Sequence, residues 1–236
     1  ERLKNKYYVN CGKRGYSKAL ADEVWRQVES FSGYSFCKAH SASYAMESFQ
    51  SLYLKAHYPM EFMVAVINNF GGFYRTEYYF HEARMAGANI HPPCVNNSNY
   101  LTTISGKDIY MGFIHLHSFE RRVAHEIVHQ RSIGGEFASL KDFVDRVVIS
   151  SEQFDILIRI NAFKFTGKIK YELMWEKNAV FNAKTDFESS LNLFEEGVQK
   201  FDLPVLEEGP FDQAFDEIEL LGFPLCSPFD LLLKDD

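Results

Sequence analysis

Residues 31–59 read FSGYSFCKAHSASYAMESFQSLYLKAHYP, and this stretch decides how the first part of the chain folds. Small and apolar side chains recur in it at steps of three and four residues, which is the spacing of one face of an α-helix. They are Ala42, Ala45, Phe49, Leu52 and Ala56. Neither glycine nor proline interrupts the pattern after Gly33 until Pro59. We therefore predict one long helix that ends at Pro59.

The predicted start of this helix carries two basic residues, Lys38 and His40. Ser41 and Ser43 are candidate caps, because a serine hydroxyl accepts a hydrogen bond from the first free amides of a helix. Free amides and the helix dipole favour an anion at this end. The pattern predicts a phosphate site, and a solvated basic surface is the alternative interpretation.

The same stretch resembles the fingers domain of the bacterial replicative DNA polymerases of the C family, the DNA polymerase III alpha subunits. That family reads F-x-G-Y-x-F-N-K-S-H-A-x-x-Y and then Y-L-K-A-H-Y-P-x-E-F. The matching residues are Phe31, Gly33, Tyr34, Phe36, Lys38, His40, Tyr44, Tyr53, Leu54, Lys55, Ala56, His57, Tyr58, Pro59, Glu61 and Phe62. Cys37 and Ala39 replace Asn and Ser, which removes two polar contacts and leaves both basic positions. The resemblance implies that Lys38 and His40 bind the phosphates of an incoming nucleotide, with Lys55 and His57 as further contacts or, alternatively, as helix-packing residues.

Composition indicates a folded globular chain. Its 236 residues suffice for one large or two small domains, and 46% are hydrophobic. The four cysteines form no CxxC pair, so we expect reduced thiols in a cytoplasmic protein. We recognise no signal peptide and no apolar run near the roughly 20 residues of a membrane helix. The chain opens without a methionine, and we expect it to be a piece of a longer protein.

Charge is unevenly distributed along the chain. The net charge is −7, yet residues 1–60 hold nine Lys and Arg against five Asp and Glu. Residues 185–236 hold two basic residues against fourteen acidic ones. A basic first part suits contact with phosphates. The acidic end is consistent with a solvated face, a linker or a surface for another domain.

The segment after Pro59 is predicted to contain two more helices and a β-hairpin. Apolar spacing gives a helix from Pro59 to the glycines at 71 and 72, and a second over residues 73–86. Residues 89–100 cannot be regular helix, because Pro92 and Pro93 have no amide donors. Their P-P-x-V-N-x-S pattern is again similar to the C family. Residues 100–111 flank Gly106-Lys107 as a short β-hairpin.

Residues 112–131 carry two competing patterns. His125 to His129 satisfies H-E-x-x-H, a zinc-peptidase signature, but no extension or third ligand follows it. The second pattern resembles the first helix-hairpin-helix of the C family, in which a glycine lets backbone amides approach a DNA phosphate. Glu120 stands where that glycine is usual and His117 where a lysine is usual. We expect the hairpin fold to persist and its grip on phosphate to be weakened or lost.

Residues 157–170 resemble the second hairpin of the same family. Asn161 replaces the usual glycine, and asparagine tolerates a left-handed backbone, so we expect the turn to survive. Lys164, Lys168 and Lys170 make this hairpin the better candidate for phosphate contacts, with a solvated basic turn as the alternative. Residues 177–212 are rich in Asn, Glu and Asp, which predicts a partly ordered linker. The last passage, residues 215–233, is similar to the connector that leads to an OB-fold in the C family.

The resemblance covers essentially the whole chain and implies a mainly α-helical fold with one short β-hairpin. We expect distal fingers at residues 1–108, tandem helix-hairpin-helix domains at 109–176, and an acidic linker and connector at 177–236. The implied activity is that of a DNA-directed DNA polymerase in DNA replication, with primer-template DNA and dNTP as ligands. Sliding clamp and replisome subunits are implied partners through regions outside this chain, and no membrane is involved.

The resemblance assigns no catalytic residue and no metal ligand to this chain. Two-metal chemistry needs carboxylate ligands, and in the family these are palm aspartates that hold Mg²⁺. We find no D-x-D pattern among the 236 residues, so we expect this piece alone to be inactive. The DNA-binding candidates are Lys164, Lys168, Lys170 and His117. The alternatives are a stand-alone helix-hairpin-helix module that binds DNA without catalysis and, more remotely, a zinc hydrolase.

Overall fold

The computed structural model describes residues 1–35, 38–189 and 207–232, with side chains described at 1–30, 40–181, 207–227 and 229–232. These residues form two compact units, Glu1–His57 and Tyr58–Asp236. The division does not coincide with the fingers boundary predicted at residue 108, which stays a prediction about function. No helix in the described part is long and apolar enough to cross a bilayer.

The described residues of the first unit form the helices α1 (Arg2–Lys13), α2 (Lys18–Ser35) and α3 (Lys38–His57). Tyr7 on α1 and Trp25 on α2 pack with ring centroids 5.2 Å apart, and the Tyr7 hydroxyl donates to the Ala21 carbonyl. Aromatic contacts therefore hold α1 against α2.

The two serine caps predicted for α3 are wrong. The helix already begins at Lys38, so Ser41 and Ser43 lie inside its first two turns and not before it. Periodicity located the helix but not its first residue, because the apolar spacing starts only at Ala42.

The second unit is also mainly helical, as predicted. Its helices are α4 (Pro59–Asn68), α5 (Thr76–Met85), α6 (Arg121–Gly134), α7 (Leu140–Arg146), α8 (Ser151–Arg159), α9 (Lys170–Ser189) and α10 (Asp212–Leu221). Short 3₁₀ turns lie at Phe113–His115, Lys164–Thr166 and Pro228–Leu231. The predicted linker from residue 177 is wrong at its start, because α9 continues to Ser189 with Val180 buried. The rest of that segment up to residue 206 lies outside the described residues.

A small sheet contains the predicted hairpin and one further strand. Strands β2 (Thr103–Ser105) and β3 (Asp108–Tyr110) pair antiparallel around Gly106, whose φ of +62° is the left-handed turn that glycine adopts without strain. Strand β1 (Asn89–His91) pairs parallel with β3, giving the order β1-β3-β2. The sequence missed β1 because three residues before two prolines are too short to show an alternating pattern.

The core of the second unit is aromatic around the hairpin helices. Phe143, Phe154 and Phe163 are fully buried, and the Phe143 and Phe154 rings stack with centroids 5.6 Å apart. Asn96 of the P-P-x-V-N-x-S pattern makes two hydrogen bonds to the backbone of Phe137, at 2.8 and 3.0 Å. That pattern thus has a structural role, since it ties the connection between β1 and β2 to the segment that joins α6 to α7.

Candidate nucleic-acid interface

The basic residues at the start of α3 lie in the first unit. Lys38 is the first residue of the helix, and its side chain lies outside the described residues. His40 is exposed, and its ring meets the Tyr44 ring edge-on at 4.4 Å. The helix end therefore presents an imidazole to solvent on its positive side.

Lys55 and His57 lie in the last turn of the same helix. At roughly 1.5 Å of rise per residue, the two ends of α3 are about 25 Å apart. One nucleotide triphosphate cannot contact both, and the helix dipole disfavours an anion at this end. The four residues predicted to bind nucleotide phosphates are therefore not brought into one site, and His57 instead packs on Tyr53 at 4.3 Å.

The turn of the first hairpin precedes α6 and is closed by a side chain from α8. Ser118 adopts a left-handed backbone with φ +59°. The Glu120 amide donates to Gln153 Oε1 at 2.7 Å, and Gln153 Nε2 donates to the Ser118 carbonyl at 2.8 Å. Gln153 is buried, so water does not compete strongly for these bonds. The amide at the position expected to face a phosphate is already used within the protein.

His117, predicted to contact DNA, is held by the end of α10. Its backbone amide donates to the Leu220 carbonyl at 2.8 Å, and its Nδ1 lies 3.1 Å from the Glu219 carbonyl oxygen. Both contacts join the first hairpin to α10. They favour a structural role for His117 over a DNA contact.

The second hairpin has the turn that the sequence predicted. Asn161 is left-handed, with φ +61°, and the Ala162 amide closes the turn by donating to the Leu157 carbonyl at 2.9 Å. Gly167 is also left-handed, with φ +71°, and leads the chain from the 3₁₀ turn toward α9. The hairpin thus survives the replacement of glycine by asparagine.

The three lysines of this hairpin have different surroundings. Lys164 is exposed and makes no ion pair with any residue in the described part of the chain. Lys168 pairs with Glu176 at 2.5 Å, and its side chain remains 45% exposed. Lys170 pairs with Asp216 at 2.5 Å, and only 11% of each side chain is exposed. Lys164 and Lys168 are available to a phosphate, whereas the predicted DNA contact of Lys170 does not fit its burial in an ion pair.

The acidic helix α10 is the feature that sequence reasoning missed. Asp216 bridges Arg159 at 2.7 Å and Lys170, and Arg159 also pairs with Glu219. The Arg159 guanidinium lowers the pKa of the Glu219 carboxyl. Asp212 accepts from the Tyr171 hydroxyl at 2.9 Å. Carboxylates at positions 212, 216 and 219 share one helix face, which was the available signal that this segment docks on a basic surface.

The H-E-x-x-H pattern lies on α6 without the surroundings of a zinc site. Arg121 Nε donates to His125 Nε2 at 3.2 Å, and Glu126 accepts from the Gln130 side chain at 2.8 Å. Across the described ranges, no three His, Cys, Asp or Glu side chains lie close enough to hold a metal ion. The zinc-hydrolase alternative therefore has no support from the geometry.

Two hairpins, each turning through a left-handed residue, define the class of this part of the chain. Residues 87–173 match the family described as helix-hairpin-helix motif. The whole chain is similar to longer curated proteins. It is 29% identical to the DNA polymerase III subunit alpha of Aquifex aeolicus over 94% of this chain and 19% of the relative. It is 31% identical to that of Xylella fastidiosa over 93% of this chain and 20% of the relative.

An error-prone DNA polymerase of Mycobacterium bovis is 28% identical over 78% of this chain and 17% of its own length. The chain spans between about a seventh and a fifth of the length of these curated relatives, with 14% for Thermus aquaticus and 19% for Aquifex aeolicus. The resemblance to the C-family polymerases is confirmed: over most of its length this chain is related to one segment of the DNA polymerase III alpha subunits.

Proposed function

We propose that this chain is the part of a bacterial DNA-directed DNA polymerase that holds duplex DNA and helps to position the incoming nucleotide. The observation that carries the proposal is the second hairpin. It combines the helix-hairpin-helix match, the left-handed turn at Asn161 and the exposed cation of Lys164. Such a turn brings backbone close to a phosphate while a lysine neutralises the charge.

The duplex contact is sequence-independent in this proposal. Lys164 meets a backbone phosphate directly, and Lys168, whose side chain is 45% exposed beside Glu176, contributes a second phosphate contact. Lys170 keeps its pair with Asp216 and fixes α10 against the start of α9.

The nucleotide contact belongs to the start of α3. Lys38 and His40 would neutralise the triphosphate and place its α-phosphate in line with the primer 3′-hydroxyl, which is a positioning and electrostatic role. The two Mg²⁺ ions of such a reaction need carboxylate ligands. The proposal assigns these ligands to the parent polymerase, outside this chain, and expects the 236-residue piece alone to be inactive.

Duplex binding is tested by fluorescence anisotropy of a labelled 20-base-pair duplex over a range of KCl concentrations. We expect affinity to fall linearly on a log–log plot against salt. Lys164→Gln should weaken binding roughly three- to tenfold and lower the salt slope by about one, independently of sequence. The matched control is Lys107→Gln, because Lys107 is an exposed lysine in the β2–β3 turn.

A wild-type chain that fails to bind duplex, or equal losses for both variants, would contradict the proposed interface. The nucleotide contact is tested separately in the polymerase that contains this segment, where Lys38→Ala should raise the dNTP KM or lower kcat. Unchanged kinetics would remove the assignment of Lys38.

A stand-alone DNA-binding module is the second candidate, and the separate core of the Tyr58–Asp236 unit favours it. Both candidates require duplex binding by the second hairpin. They differ at α3, since only the polymerase proposal gives Lys38 a kinetic effect on nucleotide incorporation.

A further inference from the structure

The connection between α4 and α5 exposes an unusual number of aromatic rings. Residues 69–75 read NFGGFYR. Phe70 is 61% exposed, Phe73 is 102% exposed and Tyr74 is 71% exposed, while Tyr78 in the first turn of α5 is 53% exposed. An exposed phenylalanine forgoes most of the stabilisation that its burial would contribute. We call Phe70, Phe73, Tyr74, Arg75 and Tyr78 the aromatic loop.

The backbone of the aromatic loop is built around Tyr79. Gly72 has φ +86°, and a Cβ there would come within 1.7 Å of the Tyr79 hydroxyl oxygen. The Tyr74 amide donates to the same hydroxyl at 3.3 Å. Phe70 holds a φ of +47°, which phenylalanine rarely adopts. The rings are therefore presented from a defined backbone that only glycine permits at position 72.

The exposed side chains of the aromatic loop share one chemistry. Every large apolar group that is exposed between residues 69 and 79 is aromatic and none is aliphatic. Arg75 is exposed beside them and makes no ion pair with any residue that the structure describes. Tyr74 and Tyr78 lie with ring centroids 6.0 Å apart. Rings with one free cation match the two parts of a nucleotide, a base and a phosphate.

The aromatic loop also lies beside the entry to the first hairpin. The Phe70 ring meets the His115 ring at 5.9 Å, and His115 closes the 3₁₀ turn two residues before His117. A nucleic acid strand on the loop would therefore be close to the helix-hairpin-helix segment. Duplex bases are stacked on each other and hide their faces, so the rings can stack only on unpaired bases.

We propose that the aromatic loop binds single-stranded nucleic acid, with Phe73 and Tyr74 stacking on unpaired bases and Arg75 contacting a backbone phosphate. This inference rests on the proposed function in that it gives the DNA-holding segment a second, strand-specific contact. The loop and the second hairpin use different residues, so the two contacts can be separated by mutation.

The experiment measures anisotropy of the 236-residue chain with two labelled probes, a 12-nucleotide oligo(dT) and a blunt 20-base-pair duplex. We expect Phe73→Ala/Tyr74→Ala to weaken oligo(dT) binding about tenfold or more and to leave duplex affinity within twofold. Arg75→Gln should lower the salt slope for oligo(dT) by about 0.7. The matched control is Phe229→Ala, because Phe229 is 79% exposed and lies outside the loop.

Wild-type protein that does not bind oligo(dT) would overturn the proposal, as would a double variant that binds it unchanged. An equal loss on both probes would also overturn it, since the loop would then not select unpaired bases. If the double variant only abolishes self-association in sedimentation, the loop is a protein contact and the proposal is wrong. Oligo(dT) binding without duplex binding supports the aromatic loop and contradicts the second-hairpin interface, so the two failures are distinguishable.

Discussion

The two hairpins have nearly the same turn and leave different groups free. Ser118 in the first and Asn161 in the second adopt φ values of +59° and +61°. In the first hairpin the Glu120 amide is bonded to Gln153, whereas the second presents the exposed Lys164. The hairpin fold and the capacity of a hairpin to bind phosphate are therefore separate properties. The turn depends on backbone conformation and packing, whereas phosphate binding depends on which amide donors and cations have no partner within the protein.

A side chain of the second hairpin also holds the turn of the first. Gln153 belongs to α8, which is the first helix of the second hairpin, and its side chain bonds the turn of the first. The second hairpin therefore stabilises the first and uses up the donor that a phosphate would need.

The largest effect is expected from acid, which should lower the stability of the fold through His115, in the segment that leads into the first hairpin. His115 is buried against Phe70 and Phe80, with its Nε2 2.8 Å from the Thr102 hydroxyl, and this burial lowers its pKa to about 4. The unfolded chain takes up the proton near pH 6.5, so stability is lost as pH falls from 6.5 toward 4, by about 3 kcal/mol. Urea unfolding at pH 7 and pH 4.5 measures this loss.

His115→Gln is the matched variant for the acid effect, because glutamine can bond Thr102 and does not titrate. Its free energy of unfolding should change much less between the two pH values. Carboxylates with lowered pKa, such as Glu219, lose their contribution only at lower pH. Equal pH dependence in both proteins would contradict the assignment to His115.

Loss of the Gln153 side chain should have the next largest effect. Gln153→Ala leaves the Glu120 amide and the Ser118 carbonyl without partners, which costs about 2–3 kcal/mol in urea unfolding. Gln130→Ala is the control, because the Gln130 side chain bonds Glu126 one turn away on the same helix and its backbone carbonyl, which accepts from Arg146, is kept in the variant. We expect that control to lose about 0.5 kcal/mol or less. Similar losses for the two variants would show that the link between the hairpins is not stabilising.

The family resemblance predicted both hairpins, and long-range contacts decided their use. The left-handed turn at Asn161 was predictable from the residue itself, because asparagine tolerates that backbone. The bond from Gln153 to Glu120 joins residues 33 positions apart. No local periodicity encodes it, so the weakened phosphate grip was predicted from the replacements at Glu120 and His117 and not from this bond.

The acidic C-terminal part of the chain also shows that contacts between distant residues cannot be predicted from local sequence. Its charge was plain from the sequence, but whether α10 is solvated or docked depends on Arg159 and Lys170 in another part of the chain. The predicted DNA contact of Lys170 does not fit its ion pair with Asp216 for that reason, since a lysine near a basic turn looks available until its partner is known. The division of α3 into two distant ends was, by contrast, deducible from helix rise alone.

The two left-handed residues should respond in opposite senses to mutation. Ser118→Gly should stabilise the protein by about 1 kcal/mol, because glycine adopts φ +59° without a Cβ penalty. Asn161→Ala should destabilise it by about 1 kcal/mol. The Cβ of alanine is strained in a left-handed backbone, and alanine lacks the short polar side chain that lets asparagine adopt it. Thermal or urea unfolding measures both. A destabilising Ser118→Gly would mean that the serine side chain holds the turn.

The smallest effect on duplex affinity is expected from a substitution at Glu120. It tests directly whether the second hairpin contacts DNA and the first does not. Glu120→Gln removes the carboxylate and leaves the backbone amide bonded to Gln153. If the first hairpin does not meet DNA, this charge lies beyond the Debye length of about 10 Å from any bound phosphate, and duplex affinity at 0.1 M salt should stay within twofold. Lys164→Gln in the same assay should lose roughly three- to tenfold. An affinity gain of about fivefold for Glu120→Gln would place a phosphate near the first turn. The bonded amide would then matter less than the carboxylate, and both hairpins would contact the duplex.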